Sequence, residues 1–137
     1  MKIVIIEDEE FAARRLERLI NEIDLSIEVV AKLESVADSI EWLSNNPEPD
    51  LILLDIHLED NLSFAIFDRI SITCPIVFTT ATDELSTRAF ITKGIDFLLK
   101  PIVKTELMRI IEKYSNWPDD KRRTMDASVF KDIVRKP

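Results

Sequence analysis

The chain has 137 residues, 46% of them hydrophobic and 32% charged, the balance of a soluble globular protein with room for one domain and one core. No apolar run approaches the ~20 residues of a membrane span, and the N-terminus has too short an apolar stretch for a signal peptide. The formal net charge of −8 disfavours direct nucleic-acid binding by these residues. The single glycine excludes any Gly-rich loop for cradling a nucleotide, and the single cysteine excludes an internal disulfide.

Ile3-Val4-Ile5-Ile6 is a short continuous apolar run, the pattern of a strand buried on both faces. From Glu9 the spacing becomes helical, with Ala12, Leu16, Leu19, Ile20 and Ile23 on one stripe. Residues 27–33 read as a second strand. Ser35 is placed to cap a second helix whose stripe is Val36, Ile40 and Leu43, and Asn45-Asn46-Pro47 ends it. Leu51-Ile52-Leu53-Leu54 is a third strand and stops at Asp55. A third helix is expected over 63–71, and a fourth strand over Ile76-Val77-Phe78-Thr79. A fourth helix is expected from Thr82 or Asp83 to Lys93, with Gly94 as its stop. Residues 95–99 read as a fifth strand and 105–114 as a fifth helix, with Leu107, Ile110, Ile111 and Tyr114 inward.

Strand and helix alternate five times, which predicts an α/β fold: a five-stranded, parallel, doubly wound sheet with five flanking helices. Ligands of such sheets bind beyond the carboxyl ends of the strands. That edge collects Glu7-Asp8, Asp55, Thr80-Ala81 and Lys100-Pro101, which are scattered along the chain.

Three carboxylates brought together repel unless a cation is present, and Mg²⁺ suits oxygen ligands that leave positions open for phosphate. Lys100 and the Thr80 hydroxyl complete a cleft suited to phosphoryl transfer onto Asp. Singly, each residue has a plainer explanation. An Asp after a strand is commonly a turn former, and Glu7-Asp8 could be the acidic first turn of a helix. Their convergence at one edge, under a fold read without them, carries the functional reading.

The segments Ile3-Val4-Ile5-Ile6-Glu7-Asp8-Glu9, Leu51-Ile52-Leu53-Leu54-Asp55-Ile56, Phe78-Thr79-Thr80-Ala81 and Phe97-Leu98-Leu99-Lys100-Pro101-Ile102, in this order and spacing, resemble the CheY-like receiver domain of two-component response regulators. The resemblance runs from Lys2 to about Tyr114. The wording around Leu62-Ser63-Phe64 and Phe78-Thr79-Thr80-Ala81 resembles the branch that carries a LytTR-type DNA-binding domain.

The resemblance implies a flavodoxin-like strand order 2-1-3-4-5 and a set of roles. Asp55 would accept a phosphoryl group from a sensor histidine kinase. Asp8, Glu7 through water, Asp55 and the backbone carbonyl of His57 would hold Mg²⁺. Thr80 and Lys100 would bind phosphoryl oxygens, Thr80 and Phe97 would act as the switch pair, and Lys100-Pro101 would be a cis peptide. The chain would be a phosphoacceptor switch, not an enzyme with turnover. It would be cytoplasmic and away from membranes. Homodimers would form through the fourth helix, fifth strand and fifth helix, and DNA would be reached only through an output domain outside this chain.

Asn61 departs from the family, which has glycine near that position. Asn tolerates a left-handed backbone, so the turn is expected to persist. The sole histidine, His57, is expected to matter through its carbonyl and not as a phosphodonor. Cys74 is expected as a small residue before the fourth strand, and Trp42 as packing at the edge of the second helix. Residues 1–114 are expected as the receiver and 115–137 as a linker or C-terminal extension, in which 127–134 has the pattern of a short amphipathic helix.

Other classes fit less well. A receiver-like interaction module independent of phosphate is the main alternative, against which the full set of Asp8, Asp55, Thr80 and Lys100 argues. A phosphate-ester hydrolase using Asp55 would want an acid-base Asp two residues on, where His57 stands. A flavin carrier would not place Glu7-Asp8-Glu9-Glu10 against a phosphate.

Overall fold

A computed structural model of the chain describes residues 1–81 and 94–125. The helices expected over 83–93 and 127–134 lie outside the described residues. The elements in order are β1 (Lys2–Ile6), α1 (Glu10–Ile23), β2 (Glu28–Leu33), α2 (Val36–Asn45), β3 (Leu51–Asp55), a 3-10 helix (Ser63–Asp68), β4 (Ile76–Thr80), β5 (Phe97–Leu99), α3 (Lys104–Ser115) and a 3-10 turn (Asp119–Lys121). The strands form one five-stranded sheet in the order β2-β1-β3-β4-β5, and every pair is parallel.

Side chains alternate across a strand, so each continuous apolar run feeds two cores. Val4, Ile6, Ile52, Leu54, Ile76 and Phe78 point to one face, where α2 and the 3-10 helix cover them. Ile3, Ile5, Leu51, Leu53 and Val77 point to the other, beneath α1 and α3. The expected stripes supply the covers: Leu16 and Ile20 from α1, and Leu107, Ile110, Ile111 and Tyr114 from α3. Ser35 caps α2 as expected, its side chain accepting from the Asp38 N–H at 3.0 Å.

The segment expected as an α-helix over 63–71 is a 3-10 helix instead. Phe64 and Phe67 are both buried on one side of the coil, a spacing that either helix would serve, and Phe64 meets Phe78 edge-on at 5.4 Å. Aromatic and β-branched residues also give this short stretch little α-propensity of its own.

The Asn61 turn is kept by other means than a left-handed residue, because among the described residues only Gly94 has positive φ. The Asn61 carbonyl accepts from Leu58 N–H at 3.0 Å, and its own side-chain oxygen accepts from Leu62 N–H at 2.8 Å. These two bonds hold the turn without the left-handed conformation that glycine would supply.

Beyond α3 the chain does not leave the domain at once. Trp117 packs against the α1–α3 core, and Met125 is buried beside Ile72.

Candidate functional site

The parallel sheet ends all its strands on one side, so chemistry distributed over the sequence meets there. β1 ends at Ile6 and hands the chain to Glu7 and Asp8; β3 ends on Asp55, β4 on Thr80, and β5 delivers Lys100. Sheet pairing continues just past the strands: Glu7 N–H donates to the Leu33 carbonyl at 2.9 Å and Lys100 N–H to the Thr80 carbonyl at 2.8 Å. The backbone positions of the site are therefore fixed by the sheet itself.

Oxygens of Glu7, Asp8 and Asp55 lie within 4.8 Å of one another, a donor set of the kind that holds a divalent metal. Glu7 and Asp55 are buried, and Asp8 is half-buried. Burial, and then the neighbouring Glu7 carboxylate, raise the Asp8 pKa above its ordinary value. The chemistry of this set, hard oxygens with accumulated negative charge, fits Mg²⁺.

Lys100 supplies the countercharge. Its ammonium donates to Glu7 Oε1 at 2.5 Å and to Asp55 Oδ2 at 3.0 Å. Burial alone would favour loss of its proton, but these two carboxylates outweigh that and keep its pKa above the usual lysine value. The Lys100–Pro101 peptide is cis, as the resemblance implied.

Glu7 has a second task. Its Oε2 accepts from Glu9 N–H at 3.1 Å, next to the start of α1, where no residue caps with its own side chain. Glu7 and Asp8 precede α1 and are not its acidic first turn, a place taken by Glu10; the two oxygens of Glu7 serve different partners, Lys100 and the Glu9 amide. Asp55 Oδ1 accepts a longer contact, 3.4 Å, from His57 N–H. His57 itself is exposed in the loop after β3 and bridges to Leu62.

Thr80 is buried at the end of β4, and Phe97 is half-buried one strand over, paired in register with Phe78. Glu7, Asp8, Asp55, Thr80 and Lys100 are thus brought to this edge, whereas Phe97 stands at the start of β5, the end away from Lys100. Asp60 was not expected. Its carboxylate accepts from Val36 N–H at 2.9 Å and Ala37 N–H at 3.2 Å, tying the loop that follows Asp55 to the start of α2. An Asp in a Glu-Asp-Asn stretch carries no signal of its distant partner.

The receiver-domain model of response regulators matches residues 3–112. The chain belongs to the response-regulator receiver family. Among the relatives of this receiver, the sensory transduction protein LytT of Enterococcus faecalis is 33% identical over 118 residues, covering 84% of this chain and 48% of that protein. The transcriptional regulatory protein LytR of Staphylococcus aureus (strain N315) is 31% identical over 116 residues, covering 82% of this chain and 46% of that protein. The chain spans about half the length of the curated relatives it matches. In structure it resembles the response regulatory domain of mrkE from Klebsiella pneumoniae, with a TM-score of 0.71 at 28% identity, covering 85% of this chain and 96% of that one. The fold also matches a two-component response regulator from Clostridium difficile, TM-score 0.69 at 24% identity over 85% of this chain and 96% of that one. In sequence this receiver is similar to the matched parts of LytT and LytR. Among the described residues, no helix is long and apolar enough to cross a membrane.

Proposed function

We propose that this receiver takes a phosphoryl group on Asp55 from a sensor histidine kinase and changes conformation as a result. The observation that supports this most directly is Asp55 itself, a buried carboxylate flanked by two more and held by Lys100. A carboxylate oxygen of Asp55 attacks phosphorus, the bond from phosphorus to the donor's imidazole nitrogen breaks, and that nitrogen keeps the electron pair. Phosphoryl transfer asks the protein for positioning and charge neutralisation. Lys100 is placed to balance the new charge, and the Thr80 hydroxyl to donate to a phosphoryl oxygen.

Glu7, Asp8, Asp55 and the His57 carbonyl are the groups that would hold Mg²⁺, which when bound would neutralise phosphoryl oxygens. Before that, Lys100 keeps Glu7 and Asp55 from repelling each other, so the site is organised in advance.

The finer reading follows the family. The chain is a stoichiometric acceptor, not an enzyme with turnover, and acts in the cytoplasm. Phosphorylation draws Thr80 inward with Phe97 following, and this alters the face that includes β5 and α3, where a second copy docks. Residues 1–114 form the receiver, and 115–137 lead toward an output domain of the LytTR type that controls transcription.

The test is intact mass after incubation with Mg²⁺ and acetyl phosphate, with Mg²⁺ and beryllofluoride binding measured alongside. A gain of one phosphoryl group that disappears in Asp55→Asn and on chelation of the metal is expected. Failure of both the mass gain and beryllofluoride binding would replace this reading with a phosphate-independent interaction module.

A further inference from the structure

Residues 116–125 lie at the end of the sheet opposite to Asp55, and they are held there by specific contacts. Met125 exchanges two backbone hydrogen bonds with Ile72, at 2.6 and 3.2 Å, just ahead of β4, and its side chain is buried in the core beneath α2. Trp117 stacks at a tilt on Tyr114 with ring centres 4.8 Å apart, and the ammonium groups of Lys113 and Lys121 stand over its ring at 5.9 and 5.3 Å. Arg123 reaches the Gly94 carbonyl at 3.5 Å. A small cavity of about 80 Å³ beneath this segment is lined by Cys74, Trp117, Arg122 and Met125 among others.

We propose that residues 116–125 are a reversible latch that phosphorylation of Asp55 loosens, a step that rests on the phosphoacceptor reading above. The latch touches the segments that lead into two strands, at Ile72 ahead of β4 and at Gly94 ahead of β5. The other ends of those same two strands carry Thr80 and Lys100. A shift of β4 against β5 at the phosphoryl site is therefore delivered to the two places that hold the latch. The attachment is one short bridge, one buried methionine, the Trp117 ring on Tyr114 and one arginine contact, all at the edge of the sheet, so its opening does not require the domain to unfold. A phosphoryl group can loosen it only by favouring a strand arrangement that the bridge does not fit.

The molecule carries its own reporter. Cys74 is the only cysteine and is 1% exposed, and burial keeps its thiol well above the usual pKa, so it reacts only when its cover opens. The full 137-residue chain is treated with Mg²⁺ and acetyl phosphate, and alkylation of Cys74 by iodoacetamide is followed by intact mass, which reads phosphorylation in the same molecules. Met125→Ala should label faster by about tenfold, because labelling follows the open population. Phosphorylated wild type should label faster than its unphosphorylated fraction, and Asp55→Asn should show no change. Equal labelling of phosphorylated and unphosphorylated chains, or no acceleration in Met125→Ala, overturns the latch while leaving the phosphoacceptor reading intact. Absence of any phosphoryl gain removes both, and the mass spectrum separates the two cases.

Discussion

Lys100 and Asp55, 45 residues apart in the chain, meet at 3.0 Å because β3 and β5 end on the same side of the sheet. The same ammonium holds Glu7, so one cation serves two buried carboxylates. Removing one partner of a buried ion pair leaves the other uncompensated. Lys100→Met should therefore destabilise the metal-free chain by about 1–3 kcal/mol in urea unfolding. Saturating Mg²⁺ should narrow that difference, since a second cation then meets the same oxygens. Phosphorylation by acetyl phosphate should remain slower by about tenfold or more even at saturating metal, because a placed positive charge is lost.

The three carboxylates predict how metal and pH act on stability. The raised pKa of Asp8, caused by burial and by Glu7, fixes the sign. Its contribution to the metal-free fold is present below the ordinary 3.8 and is lost as pH rises through the raised value, so at neutral pH the ionised group works against folding. Mg²⁺ bound to the ionised form would reverse this. A free metal concentration of about 100 Kd should add about 2.7 kcal/mol, seen as a rise in Tm. Asp8→Asn should lose most of that rise while leaving the metal-free Tm unchanged or higher. A metal-dependent rise of equal size in Asp8→Asn would remove Asp8 from the donor set.

What the sequence displays and what it hides follow from physical range. β1, β3 and β4 are legible because a strand buried on both faces shows a continuous apolar run, and Glu7 and Asp55 then stand out as the first polar groups after two of the runs, with Thr79 and Thr80 after the third. α1, α2 and α3 are legible through their stripes. The 63–68 stretch misleads because its inward residues suit repeats of three and four residues alike, and the choice is made by Phe78 across the core. Asp60 and Met125 are hidden for another reason. Each is a single residue whose partner, Val36 or Ile72, is fixed only by the tertiary fold.

The start of α2 tests that hidden layer. Ser35 satisfies Asp38 N–H, and Asp60 satisfies Val36 and Ala37 N–H from outside the helix. The Val36 amide is the chief reason that the Asp60 pKa lies below its ordinary value. Ser35→Ala should cost about 1 kcal/mol, the usual worth of such a cap. Asp60→Ala should cost less, because its carboxylate is exposed. It should speed amide hydrogen exchange at Val36 and Ala37, where Ser35→Ala should act chiefly at Asp38. If Asp60→Ala left those two amides unchanged, the tie between the acceptor loop and α2 would have no energetic content.

At the opposite end of the sheet, Asp96 accepts from the Tyr114 hydroxyl at 2.5 Å and from Lys113 at 2.7 Å. Burial opposes ionisation of Asp96, but these two donors outweigh it and keep the pKa below the ordinary 3.8. Burial, and the carboxylate it faces, push the Tyr114 phenol upward. A carboxyl with a depressed folded pKa stabilises above its unfolded value and stops doing so as pH falls through the folded one. Tyr114→Phe keeps the ring on Trp117 and removes only the donor. It should cost about 1–2 kcal/mol at pH 7, at the low end for a bond to a charged group because Lys113 remains and Asp96 is partly solvated. The cost should shrink below pH 3.8, where Asp96 takes up its proton. The carboxyl titration of Asp96, followed by NMR, should move upward in the variant. A stability loss that persisted unchanged in acid would assign the effect to packing of the phenol rather than to its hydrogen bond.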